Sequence, residues 1–182
     1  MRTVIGVMGG GVADEATRAL ARRTGELVAA QGWALLTGGR PAGVMDAASA
    51  GAKRAGGLVL AVLPGEEPDE ATSHADVVIC TGMGDARNVV NVLSSHVVLA
   101  LPGGAGTLSE IALAVNACRP VVVVGWHPGD ALVQVGGERM ALASSPEEAV
   151  EAAKRFLSGA RLGAESAATV RGRARRSGSA TR

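Results

Sequence analysis

Apolar residues in this chain fall into two alternating patterns. Short continuous runs such as Leu58–Leu63 and Val121–Val124 read as strands buried on both faces. Between them lie longer stretches in which apolar residues recur every three or four positions, the period of an amphipathic helix. The spacing predicts strands at Thr3–Met8, Trp33–Leu36, Leu58–Leu63, Val77–Cys80, Val97–Leu101 and Val121–Val124, with a seventh at Arg139–Ala143. Helices are expected over Asp14–Ala30, Val44–Ala55, Asp85–Ser95 and Ala105–Cys118, with a last one starting at Pro146. In the first helix Leu20, Leu27 and Val28 point inward, and Arg22, Arg23 and Glu26 outward. Asp85 is placed as an N-cap. Strand and helix in strict alternation give an α/β fold: a Rossmann-like, doubly wound, mostly parallel sheet of about seven strands with helices on both faces.

Polar punctuation locates the chemistry. The segment Leu101-Pro102-Gly103-Gly104-Ala105-Gly106-Thr107-Leu108-Ser109-Glu110 joins a strand to a helix. Glycines there let backbone N–H groups approach a ligand, and the start of a helix favours an anion such as phosphate. Gly103, Gly104, Gly106 and Thr107 are the expected phosphate contacts. Glu110 shares a helical face with Thr107, which suggests a carboxylate acting on a sugar carbon or on water. The alternative is a tight turn followed by an ordinary helix acid. A second constellation, Thr81-Gly82-Met83-Gly84-Asp85-Ala86-Arg87-Asn88-Val89-Val90-Asn91, also follows a strand and opens a helix. If the fourth and fifth strands are neighbours, ~4.8 Å apart, Arg87 and Glu110 reach one ligand, with Met83, Asn88 and Asn91 beside them. The alternative is a structural ion pair between Arg87 and Glu110.

Composition narrows the classes. The 182 residues suit one domain, here residues 1–158, with a basic tail over 159–182 expected to be disordered. That tail is read as a solvated segment, or as a weak electrostatic contact with RNA or an acidic surface. A net charge of +1 and the few aromatics, Trp33, Trp126 and Phe156, point to no specific nucleic acid. Cys80 and Cys118 are too few for a disulfide scaffold or zinc site and are expected to be small buried residues in a reducing cytoplasm. No apolar run approaches the ~20 residues of a membrane span. His74, His96 and His127 are isolated, so no metal site is expected. A Walker-type loop is missing, and Gly6-Val7-Met8-Gly9-Gly10-Gly11 departs from the dinucleotide fingerprint. With no acid after Thr37-Gly38-Gly39, a conventional NAD site is disfavoured.

The run Pro102-Gly103-Gly104-Ala105-Gly106-Thr107-Leu108-Ser109-Glu110 resembles the PGGxGTxxE motif of the Lonely Guy (LOG) family, often mislabelled as lysine decarboxylases. Gly38-Gly39 followed by Gly43-Val44-Met45-Asp46 resembles that family's glycine-rich segment, and the resemblance covers most of residues 3–157. It implies a nucleoside 5′-monophosphate phosphoribohydrolase with no required cofactor. In that role Arg87 and Glu110 would be catalytic, and Gly38 and Gly39 would join the ligand contacts. Glu110 would stabilise oxocarbenium character at C1′ and orient water. Arg87 would position the phosphate or the departing base and keep Glu110 ionised. The chain departs from the family in having Asn88 where a Lys is usual and Asp85 where a His is usual. Around Ala86–Ser95 it is similar to the sister group of molybdenum-cofactor carriers, which implies a carrier or sensor holding a molybdopterin-type ligand or another phosphorylated pterin or nucleotide in the same cradle. The resemblance to LOG-like proteins implies a homodimer or larger assembly, and the apolar residues around the Ala105–Cys118 helix point the same way.

Overall fold

The computed structural model describes residues 1–159. The expected tail therefore lies outside the described residues, apart from residue 159, which is still helical. Seven strands form one sheet: β1 (Val4–Met8), β2 (Ala34–Thr37), β3 (Leu58–Leu63), β4 (Val77–Cys80), β5 (Val97–Ala100), β6 (Val121–Val124) and β7 (Met140–Ala143). Their order is β4-β3-β2-β1-β5-β6-β7, and every pairing is parallel. The helices are α1 (Glu15–Ala30), α2 (Gly43–Arg54), α3 (Arg87–Ser94), α4 (Ala105–Asn116), α5 (Asp130–Gly136) and α6 (residues 146–159). No helix among the described residues is long and apolar enough to cross a membrane.

Strand residues alternate between two apolar layers. Ile5, Val7, Leu35, Val59, Leu99 and Val122 pack with α1, α2 and α6. Met8, Leu36, Val62, Ala100, Val121 and Val123 pack with α3, α4 and α5. Asp14 caps α1 by accepting from the Thr17 N–H at 2.8 Å. The inward face of α1 is Ala21, Thr24, Gly25 and Val28, with Leu20 and Leu27 only partly buried. Small residues win there because α1 and α2 touch backbone to backbone. A Cβ on Gly25 would lie 2.0 Å from the Ala48 carbonyl oxygen, and one on Gly51 2.0 Å from that of Arg22.

Three expectations need correction, and one helix adds to them. β4 and β5 are not neighbours: β3, β2 and β1 stand between them. The chain runs outward from β1 to β4, and α3 then carries it back across the sheet to β5. Asp85 is no N-cap; it sits in a 3-10 turn, Gly84–Ala86, and α3 begins at Arg87 without a side-chain cap. Cys80 and Cys118 are exposed, because β4 is an edge strand and Cys118 follows the end of α4 with φ of 55°. The short helix α5, between β6 and β7, has too few apolar turns to register as a periodic pattern.

Candidate functional site

Ligands of open parallel sheets bind beyond the carboxyl ends of the strands, where the strand order reverses. That point here is β1, between β2 and β5. The three loops leaving these strands are tied together by backbone hydrogen bonds. Leu101 N–H donates to the Met8 carbonyl (2.8 Å), Gly10 N–H to that of Pro102 (3.0 Å), and Val44 N–H to that of Gly10 (2.9 Å). Side chains would push these loops apart: a Cβ on Gly103 would meet Thr107 Oγ1 at 2.1 Å, and one on Gly43 the Gly10 carbonyl oxygen at 2.2 Å. Gly104 and Gly106 differ. A Cβ on either would meet nothing within 4 Å, so their outer side is open to a ligand.

The loops enclose a cleft of about 240 Å³ lined by Gly9–Gly11, Gly38, Arg40, Met45, Asp85, Arg87, Asn88, Gly104, Gly106, Thr107 and Glu110. Gly104 is the N-cap of α4 and supplies no side-chain cap, and the first turn of the helix carries no acid. The leading N–H groups of a helix lack intrahelical acceptors and sit at its positive end. Here they front the cleft, the arrangement that receives phosphate.

Arg87 and Glu110 enter from different helices, and each is only 7% exposed. Arg87 Nη1 donates to the Val62 carbonyl at 2.8 Å, so the side chain reaches back over the end of β3. Its guanidinium passes directly over Gly38, where a Cβ would lie 2.2 Å from Nη1. Arg87 Nε is buried without a partner. No ion pair joins Arg87 to Glu110 within 4.0 Å among the described residues. Glu110 Oε1 instead accepts from Asn91 Nδ2 at 3.0 Å, and Asn88 Nδ2 donates to Ser109 Oγ at 3.1 Å.

Burial dominates both ionisable groups. It pushes the Glu110 carboxyl above the ordinary carboxylate value, against the Asn91 hydrogen bond and the Arg87 charge. Arg87 attracts the charged form of Glu110, and loss of water is the larger, opposing effect. The Arg87 guanidinium is itself pulled down, first by burial; Glu110 opposes the shift, Arg40 adds to it and Asp85 opposes it.

The structure thus gathers Arg87, Glu110, Asn88, Gly38, Gly104, Gly106 and Thr107 around one cleft. Asn91 stands behind Glu110 and holds it. Gly103 lies beneath the cradle, packed on Thr107 and Gly10. Gly39 faces Ala61 and Leu63 of β3, and Met83 is half exposed outside the lining. Sequence reasoning missed Gly9–Gly11, Arg40, Met45 and Asp85 as lining residues. The glycines after β1 were visible as a turn, but only the reversal at β1 makes that turn a wall. Arg40 had a signal too: a charged residue directly after a glycine pair at a strand end. No group of three or more His, Cys, Asp or Glu is placed to hold a metal among the described residues.

The chain is similar to several known proteins. A model described as the SLOG cluster4 family matches residues 2–150. An uncharacterized protein of Archaeoglobus fulgidus is 43% identical over 152 residues, covering 80% of this chain and 91% of that one. A cytokinin riboside 5′-monophosphate phosphoribohydrolase of Mycobacterium marinum is 34% identical over 94 residues, half of each chain. Among solved structures, the molybdenum cofactor binding protein of Rippkaea orientalis has a TM-score of 0.83 and 41% identity, covering 86% of this chain and 98% of that one. The molybdenum cofactor carrier protein of Chlamydomonas reinhardtii has a TM-score of 0.82 and 39% identity, covering 87% and 99%.

Proposed function

The chain belongs to the SLOG cluster4 family, and from that premise we propose that it is a carrier holding a molybdopterin-type ligand by its phosphate. The observation that carries this reading is the extent of likeness. The similarity to the molybdenum cofactor proteins spans 98–99% of their chains at 39–41% identity, whereas that to the phosphoribohydrolase spans half. The cleft supports it: the first turn of α4 and Arg87 offer a phosphate cradle, while burial disfavours the charged form of Glu110. This reverses the order of preference set by the PGGxGTxxE motif alone. Purified protein should carry a pterin that fluoresces after oxidation, or bind molybdopterin released from a donor enzyme in equilibrium dialysis. Absence of binding at micromolar ligand would sink the carrier reading.

A second reading keeps the hydrolase, because Arg87 and Glu110 line the same cleft as the α4 turn. It requires free base to be released from AMP, CMP, GMP or isopentenyl-AMP. Glu110→Ala should abolish that release while phosphate binding persists; unchanged release in the variant would discard the mechanism.

The same proposal includes a cytoplasmic homo-oligomer. α3 is inverted: Arg87, Asn88 and Asn91 face inward, while Val89 and Leu93 are 39% and 52% exposed. An apolar surface with its polar face buried is suited to a second copy. Light scattering at the monomer mass across micromolar concentrations would refute it.

A further inference from the structure

Asp85 lines the cleft but has no role in either reading above. It sits in the 3-10 turn Gly84–Ala86, beyond the end of β4. Backbone hydrogen bonds fasten that turn to the loop after β3: Gly82 N–H donates to the Gly65 carbonyl (3.1 Å) and Gly84 N–H to that of Pro64 (2.9 Å). The place of Asp85 at the cleft is thereby set, yet its carboxylate is idle. It makes no ion pair within 4.0 Å among the described residues. It caps neither its own turn nor α3. Side-chain hydrogen bonds around it run elsewhere: Thr81 Oγ1 donates to the Leu63 carbonyl, Met83 N–H to Thr81 Oγ1, and Arg87 Nη1 to the Val62 carbonyl.

The formal side-chain charges of the lining cancel, Arg40 and Arg87 against Asp85 and Glu110. Hydrogen-bonding direction is the more informative property. A carboxylate offers acceptors only, so it repels phosphate and is satisfied by N–H or O–H donors. Glu110 has such a donor in Asn91, and Asp85 has none. Topology sets Asp85 apart from the α4 turn: that turn follows β5, whereas Asp85 comes from the β4 side, with β3, β2 and β1 between the two strands. A ligand that seats its phosphate on the α4 turn and fills the cleft brings its other end to Asp85. A sugar bonded to the phosphate would stay beside the turn, so the group that meets Asp85 is the heterocycle.

The two oxygens of a carboxylate match two parallel N–H donors, as they do in a carboxylate–guanidinium pair. The 2-amino-4-oxopyrimidine edge presents that pair, a ring N–H beside an exocyclic amine, and guanine and pterin share it. Adenine places a ring acceptor beside its amine and cannot match both oxygens. We propose that Asp85 is a specificity residue that reads the ring N–H and 2-amino group of a phosphorylated guanine or pterin. This rests on reading the α4 turn as a phosphate cradle, and it deepens that reading by naming the edge the ligand must present.

The test is calorimetric titration with inorganic phosphate and two matched pairs of probes at one fixed salt concentration. GMP is paired with IMP, and 6-hydroxymethylpterin phosphate with its lumazine analogue; the second member of each pair lacks the 2-amino group. Wild-type protein should bind the amino member of at least one pair about tenfold more tightly than its partner. The pair that responds tells guanine from pterin. Asp85→Asn should abolish that preference and leave phosphate and the analogue lacking the amine unchanged, and Asp85→Glu should recover part of it. Asp85 is exposed, so both variants should melt as the wild type does. No preference in either pair, a preference that survives Asp85→Asn, or an equal loss for all probes would overturn the assignment of Asp85 and leave the cradle intact. Wild-type protein that binds neither phosphate nor any probe would overturn the cradle, and this inference with it.

Discussion

The two faces of the sheet are built on opposite rules. On the face covered by α1, α2 and α6 the buried polar groups are few and settled locally. Thr24 Oγ1 donates to the Leu20 carbonyl and Ser49 Oγ to that of Met45, each one turn back. On the face covered by α3, α4 and α5, Arg87, Asn88, Asn91, Thr107 and Glu110 are all buried. Arg87 Nε and Asn91 Oδ1 have no partner there. Unpaired buried polar atoms cost stability. The first face therefore acts as the structural ballast, and the second carries unsatisfied groups, of which Arg87 lines the cleft where a ligand would sit.

Substitutions can break or sharpen that contrast. Leu35→Ala, on the apolar face, should have the largest effect. It removes a fully buried side chain from β2 and should lower unfolding free energy by about 3 kcal/mol. Ligand affinity of the molecules that remain folded should not change. Denaturant melts with and without ligand would measure both.

Gly38→Ala comes next and acts on the other face. The new methyl displaces the Arg87 guanidinium and should cost on the order of 1–2 kcal/mol of stability, together with at least tenfold in phosphate affinity. Retained affinity would mean that the placement of Arg87 is irrelevant to binding.

Glu110→Gln should stabilise the unliganded protein at neutral pH by on the order of 1 kcal/mol, the scale for relieving a buried charge. The sign follows from the raised folded-state pKa. Folded protein holds the Glu110 proton more tightly than the unfolded chain. That stability is full below the unfolded value and is lost as pH rises through the folded one. Wild-type stability should therefore fall over that window and the variant's should not, as pH-dependent melts would report.

Gly106→Ala should have the smallest effect on folding, with the opposite sign to its effect on function. Its Cβ points into open space inside α4. Alanine should stabilise the helix by roughly 0.5–1 kcal/mol while weakening phosphate binding. A variant that gains stability and keeps its affinity would remove Gly106 from the binding surface.

These contrasts show which parts of the sequence could be read directly. The β-strands were legible because a strand buried on both faces leaves an unbroken apolar run, as in Val121–Val124. The α4 turn was legible because its function requires glycine at fixed spacing, and the LOG-like motif followed from it. Strand order was not legible. Nothing local in Val77–Cys80 states that it lies at the edge, with three strands between it and β5. Arg87 and Glu110 meet anyway, but because α3 crosses back over the sheet rather than because their strands touch. Arg40 and Gly9–Gly11 were missed because their importance depends on that order. The burial that raises the Glu110 carboxyl is a tertiary quantity with no local signature in the sequence.

The bonds that tie Gly10 to Pro102 and Val44 have a consequence for how the molecule opens. The cradle is not a flap on one segment; it exists only while β1, β2 and β5 are docked together. A ligand seated there is linked to global rather than local unfolding. In hydrogen exchange its protection should extend to the slowest amides of β1 and β5 at the sheet's centre, and a weak binder should slow exchange far from any atom it touches.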